Sequence, residues 1–167
     1  MSIVGKIARK YMAHFLDTSF TINATTPTPM YNRLGKDLEE YTVGMNPDVT
    51  VFKNILGETN MTNNGYERGG SVEPVYCEVG DPLFEKLQDF VDNETQDDGL
   101  KTYICEVHLW DETSTGVYTA YRQPCYVVPT SYGGDTSGYQ IPFDIHYVGE
   151  RQAGSFTLST KTFALSS

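Results

Sequence analysis

Between residues 101 and 110 the odd positions Tyr103, Cys105, Val107 and Leu109 are all apolar. A period of two is that of a strand with one face on a core. The period returns at Tyr139, Ile141, Phe143, Ile145 and Tyr147, which alternate with Gln140, Pro142, Asp144, His146 and Val148. This predicts one half-buried antiparallel strand. Pro142 has no N–H to give to a ladder, so the strand is expected at a sheet edge or at a bulge. Residues 117–129 form another β-rich run, broken by Pro124, and 155–163 a last strand. Strand-like runs upstream cover 37–44, 50–56 and 71–77.

One segment changes period. Leu83, Phe84, Leu87, Phe90 and Val91 form an apolar stripe at helical spacing, with Glu85, Lys86, Gln88 and Asp89 facing away. Asp81 is a good N-cap and Pro82 suits the first helical position. A helix over about 81–92 is therefore expected, with Phe84, Leu87, Phe90 and Val91 as its core face. Residues 1–30 give no single answer. Ile3, Ile7, Tyr11 and Phe15 recur at helical spacing, yet 11–16 reads equally as a strand ending at Asp17-Thr18-Ser19. Residues 57–70 are polar and glycine-rich and read as an extended loop. Structureless connections that long usually carry a function. The run 131–138 is a turn cluster. The pattern describes a mainly β fold: an antiparallel β-sandwich or barrel with one flanking helix, without internal repeats.

A length of 167 residues suits one domain, 1–167, and twelve Tyr with eight Phe are too many rings for a disordered chain. The formal charge of −10 argues against DNA-backbone binding, which needs clustered Lys and Arg, and against an anionic membrane as partner. The acidity is uneven: residues 73–98 hold nine acidic side chains and one basic, Lys86. That run reads as a solvated outer helix face, or as a surface that repels anions or meets a basic partner. No apolar run approaches the roughly 20 residues of a membrane span. Cys77, Cys105 and Cys125 are odd in number and widely spaced, which predicts reduced thiols and no structural zinc. With no apolar stretch of secretory length at the start, synthesis and folding in a reducing cytoplasm are expected.

Searching for chemistry yields little. There is no phosphate loop, Gly-x-Ser-x-Gly elbow, zinc-protease helix or calcium loop. Gly133-Gly134-Asp135 reads as a hairpin turn. Glu106-x-His108 and Asp144-x-His146 each place a carboxylate and an imidazole on one strand face. On neighbouring strands they would gather around a transition metal; the alternative is a pair of solvated polar faces. Asp92, Glu94, Asp97 and Asp98 match no calcium-loop spacing and read as an acidic turn. No catalytic, cofactor or metal site is expected, and the protein is not expected to be an enzyme.

Several segments resemble the major tail, or tail tube, proteins of long-tailed bacteriophages. They are Leu34-Gly35-Lys36-Asp37-Leu38, Phe52-Lys53-Asn54-Ile55-Leu56-Gly57-Glu58 and Gly80-Asp81-Pro82-Leu83. They continue in Tyr121-Arg122-Gln123-Pro124-Cys125, Ser131-Tyr132-Gly133-Gly134-Asp135, Ile141-Pro142-Phe143-Asp144-Ile145-His146, Gly149 and Gly154-Ser155-Phe156. The resemblance runs from about Leu34 onward. It implies a structural virion protein that self-assembles into rings, hexameric in that family, stacked as a hollow tail tube for DNA delivery. It implies a tail location after assembly in the host cytoplasm. The implied partners are the chain itself, a tape measure and a tail terminator, with DNA passing transiently and without specific binding. In that setting the loop residues Glu58, Met61, Tyr66 and Arg68 are the candidates for contact with a neighbouring subunit. Two rival readings stand beside it. One is a monomeric β-sandwich ligand- or carbohydrate-binding module with Trp110, Tyr118 and Tyr132 as stacking platforms. The other is a small hydrolase using His108 or His146.

Overall fold

The computed structural model describes residues 4–35, 38, 40–73 and 75–166. In chain order its elements are a 3-10 turn at Arg9–Tyr11, β1 (Met12–Asp17), β2 (Tyr31–Arg33), β3 (Pro47–Lys53), β4 (Thr59–Tyr66), β5 (Gly69–Val72), α1 (Pro82–Asn93) and a second 3-10 turn at Asp97–Leu100. There follow β6 (Lys101–Ser114), β7 (Val117–Pro129), β8 (Gly133–Asp135), β9 (Gly138–Gln140), β10 (Phe143–Tyr147), β11 (Gln152–Thr157) and β12 (Thr162–Leu165). The architecture is mainly β and antiparallel, with one helix packed on its flank.

The long β6–β7 hairpin is the centre. On the β6 side the sheet continues through β1 to β2. On its other edge β7 has two successive partners, β11 against residues 117–122 and β10 against 125–129. β12 then pairs with β11, and β5 with β10. Two cores lie on opposite faces. Phe15 of β1, Tyr31 of β2, Cys105, Val107, Ala120 and Phe156 of β11 form one. The Phe15 and Phe156 ring centroids are 4.5 Å apart although their strands are not neighbours, so the sheet curls over this cluster. The second core joins Leu16, Ile104, Val127, Phe143 and Ile145 to the helix. β6 is thus buried on both faces from Ile104 to Val107, where Ile104 and Glu106 are as hidden as Cys105 and Val107.

The helix follows from its ends and its stripe. The Asp81 carboxylate accepts the Leu83 N–H at 3.1 Å, Pro82 opens the first turn, and Glu94 closes the last in a left-handed conformation. Leu83, Leu87 and Phe90 are buried, and Phe84 and Val91 pack half-buried against the same core.

Several segments depart from the sequence expectation. Of residues 11–16, Tyr11 closes the 3-10 turn and 12–16 take the extended alternative. The loop after β1 is held by the buried Asp17, whose carboxylate accepts from the Ser19 and Met30 N–H groups, both at 3.0 Å. Residues 57–70 are not a loop but a glycine turn followed by β4, two linking residues and the start of β5. The expected strand at 37–44 is irregular over its described part, with a single bridge between Gly44 and Gly69; Asp37 and Glu39 lie outside the described residues, as does Ile3. The run 139–147 is split at Ile141-Pro142 into β9 and β10. β10 is central rather than marginal, flanked by β5 and β7, and Pro142 precedes its ladder instead of interrupting it. Pro124 breaks nothing in β7, because it falls where β11 gives way to β10. The last strand is a hairpin, β11–β12, turned by Leu158-Ser159-Thr160-Lys161, with Lys161 at φ 53°.

Candidate functional site

β3 and β4 form a two-stranded sheet of their own. This arm is joined to the body at its root, where the Asn46 side chain donates to the Glu67 carbonyl at 2.9 Å and Gly44 and Gly69 exchange backbone hydrogen bonds at 2.8 and 3.1 Å. Its turn is built by Asn54, whose carboxamide oxygen accepts the Leu56 and Glu58 N–H groups, and by Gly57 at φ 79°. Gly57 supplies the positive φ without a Cβ clash. The Asn54 amide also donates to the Glu58 carboxylate at 3.1 Å.

The arm exposes apolar side chains on both faces. Cross-strand register places Val51 opposite Met61 and Val49 opposite Asn63 on one face, and Phe52 opposite Asn60 on the other. Val51 is 63% exposed, Met61 66% and Tyr66 56%, while Ile55 and Leu56 protrude at the tip. A lone two-stranded hairpin is at best marginally stable in water. Contiguous exposed apolar surface usually marks an interaction site. Of the four candidate contact residues, Glu58 lies in the turn, Met61 and Tyr66 on β4, and Arg68 at the root, where it turns back toward the body.

A second feature lies at that root. Arg9, Met12, His14, Tyr41, Met45, Arg68, Glu106 and Arg151 are among the side chains lining an open cleft of about 360 Å³. Glu106 is buried, and its carboxylate pairs with Arg151 at 2.7 Å. The Arg151 guanidinium also lies over the Tyr121 ring, 4.3 Å from its centroid. His14 is buried beside Glu106, its Nε2 3.9 Å from Oε1 and without a hydrogen-bond partner. Burial pushes the His14 pKa down to about 4; Glu106 opposes that shift, and Arg9, Arg151 and Arg33 add to it. Sequence spacing does not reveal this group, because its carboxylate, imidazole and guanidinium come from three separate strands and loops.

The other candidates are not brought together. The strands carrying Glu106–His108 and Asp144–His146 lie on opposite edges of β7. His108 stacks on Trp110 at 4.4 Å, and Asp144 accepts from the Ser71 hydroxyl at 2.7 Å. Among the described residues no three His, Cys, Asp or Glu side chains are placed to share a metal. Tyr118 packs against the Phe15–Phe156 core near the start of β7, whereas Tyr132 lies beyond its other end, on the order of 35 Å along the strand. Trp110, Tyr118 and Tyr132 therefore make no single platform. The three cysteines are free thiols, and burial pushes Cys105 up to about 12. In the acidic segment Glu85, Asp89, Asp92, Glu94, Asp97 and Asp98 are all exposed.

Comparison with known proteins places the fold. No protein-family model and no curated protein matches the chain. Among solved structures it is similar to a chain from the tail of an empty GTA particle, solved by helical refinement with C6 symmetry. The TM-score is 0.57 at 9% identity, over 87% of this chain and 97% of that one. The likeness at that identity is one of fold. The antiparallel sheet with its flanking helix is an architecture that a subunit of a six-fold tail also uses.

Proposed function

We propose that this protein is a tail-tube subunit: a structural virion protein, not an enzyme, that assembles head-to-tail into rings of six and stacks them into a hollow tail. The observation that carries the reading is the β3–β4 arm. Its apolar side chains find no core in their own subunit, and it projects from a fold shared with a C6 tail. A heterologous contact, in which the arm of one copy lies on a different surface of the next, closes a ring when its rotation closes. The sheet supports the same reading. β2, β12 and β5 are edge strands among the described elements, and pairing with a neighbour covers such edges. The acidic composition suits a conduit through which DNA slides without binding. Tape measure, tail terminator and DNA in transit are the remaining partners of this role, and the tail its location.

The experiment replaces the arm without touching the body. The Asn46 carbonyl accepts the Glu67 N–H at 3.5 Å, so a two-residue Asn-Gly turn can join Asn46 to Glu67 in place of residues 47–66. The shortened protein is expected to melt at the parent temperature and to remain monomeric in sedimentation velocity at concentrations where the parent forms rings or longer assemblies. Assembly equal to that of the parent would remove the arm from the account.

A further inference from the structure

A chain of net charge −10 holds, at the root of its arm, a cleft where three guanidinium groups meet one carboxylate. Arg151 and Glu106 satisfy each other. Arg9 donates to the carbonyls of Met12 and Tyr41 and keeps its charge. Arg68 is half exposed, and among the described residues no carboxylate pairs with it. Between them sits His14, neutral at ordinary pH and with its buried Nε2 unpartnered. A buried polar nitrogen without a partner is costly unless something arrives to meet it. A guanidinium on the cleft wall can grip a carboxylate with two parallel bonds, and His14 Nε2, closed to solvent in the lone subunit, donates to the same group only when the side chains over it part. The cleft therefore has the donors of a carboxylate receptor, and Arg9, Thr42 and Met45 leave its rim open to solvent.

Carboxylates of the right kind are on the same chain but elsewhere. The end of α1 and the turn after it expose Asp92, Glu94, Asp97 and Asp98, and no residue of α1 lines the cleft. We propose that this cleft receives the acidic end of α1 from a second copy of the chain, forming a charge-complementary, head-to-tail contact between neighbouring subunits. The proposal rests on the tail-tube reading only for what the contact builds. Complementary charge of this kind sets orientation and register and suppresses the wrong pairing, because cleft-to-cleft and helix-to-helix contacts repel. The two patches are different surfaces, so the contact is heterologous and propagates around a ring.

The test uses two full-length variants that leave the Arg151–Glu106 pair untouched. One reverses the cleft, Arg9→Glu with Arg68→Glu. The other reverses the helix end, Asp92→Lys, Asp97→Lys and Asp98→Lys. Each alone brings like charges together and is expected to stay monomeric in sedimentation velocity where the wild type associates. Mixed one to one, each cleft meets the opposite charge, and association is expected to return to within about tenfold of wild type. A mixture that stays monomeric while both variants keep the wild-type circular dichroism spectrum would overturn the proposal. So would an inert mixture in which the cleft variant has lost binding of inorganic phosphate or duplex DNA that the wild type shows, since the cleft would then take its anion from another source. Where charge reversal disturbs folding, Arg68→Gln serves. It is expected to weaken self-association about tenfold at an unchanged melting temperature, and unchanged association would count against the contact. Pairs that form without rings would uphold the contact and fail the tail reading; wild-type rings beside an inert mixture would do the reverse.

Discussion

Two hairpins in this chain obey opposite rules. β6–β7 is buried on both faces at its centre, packed between the Phe15–Phe156 core and the helix core. β3–β4 is exposed on both faces along almost its whole length. Both have antiparallel ladders and both include β-branched residues, so propensity does not separate them. Burial does. The first hairpin is held by tertiary packing, which supplies most of the stability of a strand. The second holds its shape with a turn, a root and a ladder, and its apolar groups stay exposed. On the proposed tail-tube reading, a dense centre and an unburied arm divide the labour between stability and contact.

The sharpest way to break that division is to attack the dense hairpin. Phe156 is fully buried between Phe15 and Tyr31, with centroid distances of 4.5 and 5.9 Å. Phe156→Ala is expected to destabilise the monomer by about 3–5 kcal/mol in denaturant unfolding. A much smaller loss would show that the curled sheet is looser than its packing indicates. On the other face Leu87, on the inner side of α1, is fully buried, and Leu87→Ala is expected to cost about 2–5 kcal/mol. An unchanged melting temperature would place the helix wrongly.

The cleft gives an effect of intermediate size, visible in pH. His14 has a folded pKa of about 4 against an ordinary 6.5. Between those values the unfolded chain binds the proton and the folded one does not. The stability tied to His14 is therefore complete above about pH 6.5 and is lost as pH falls toward 4, amounting to about 3 kcal/mol. His14→Phe is expected to flatten that part of the stability profile. If wild type and variant share one slope from pH 7 to 4, the imidazole is not buried beside Arg151 and Glu106.

The smallest effect on stability is expected in the arm. Val51→Ser with Met61→Ser removes apolar atoms that water already touches, so the monomer should change by less than about 0.5 kcal/mol. Its assembly should nevertheless weaken. A large stability loss would mean that the arm folds back on its own subunit.

The legibility of the sequence follows the same division. The alternation at Tyr103, Cys105 and Val107 and the capped stripe from Asp81 to Val91 identify the sheet and the helix because packing imposes a pattern there. The β3 half of the arm was legible in part as the strand-like run 50–56, but β4 has no buried face and so no alternation, and Asn60, Thr62, Asn63 and Asn64 read as a polar loop. That strand-like run overshoots into the turn, which is closed from Asn54 to Gly57. The split at Pro142 was written in the residue itself, but the central place of β10 was not. The β11–β12 turn has no Gly or Pro to announce it. Met61 and Tyr66 stood out in the sequence as the apolar members of the polar segment 57–70, and the structure places both exposed on β4. The cleft was not, since Glu106 looks like a solvated strand residue until Arg151 is brought against it.

Electron microscopy of the purified protein over a concentration series tests the central claim most directly. The account predicts monomers when dilute and, when concentrated, six-membered rings with a central hole that stack into tubes without added cofactor. A protein that remains a single dispersed subunit at the highest concentration, with the arm intact, would contradict it.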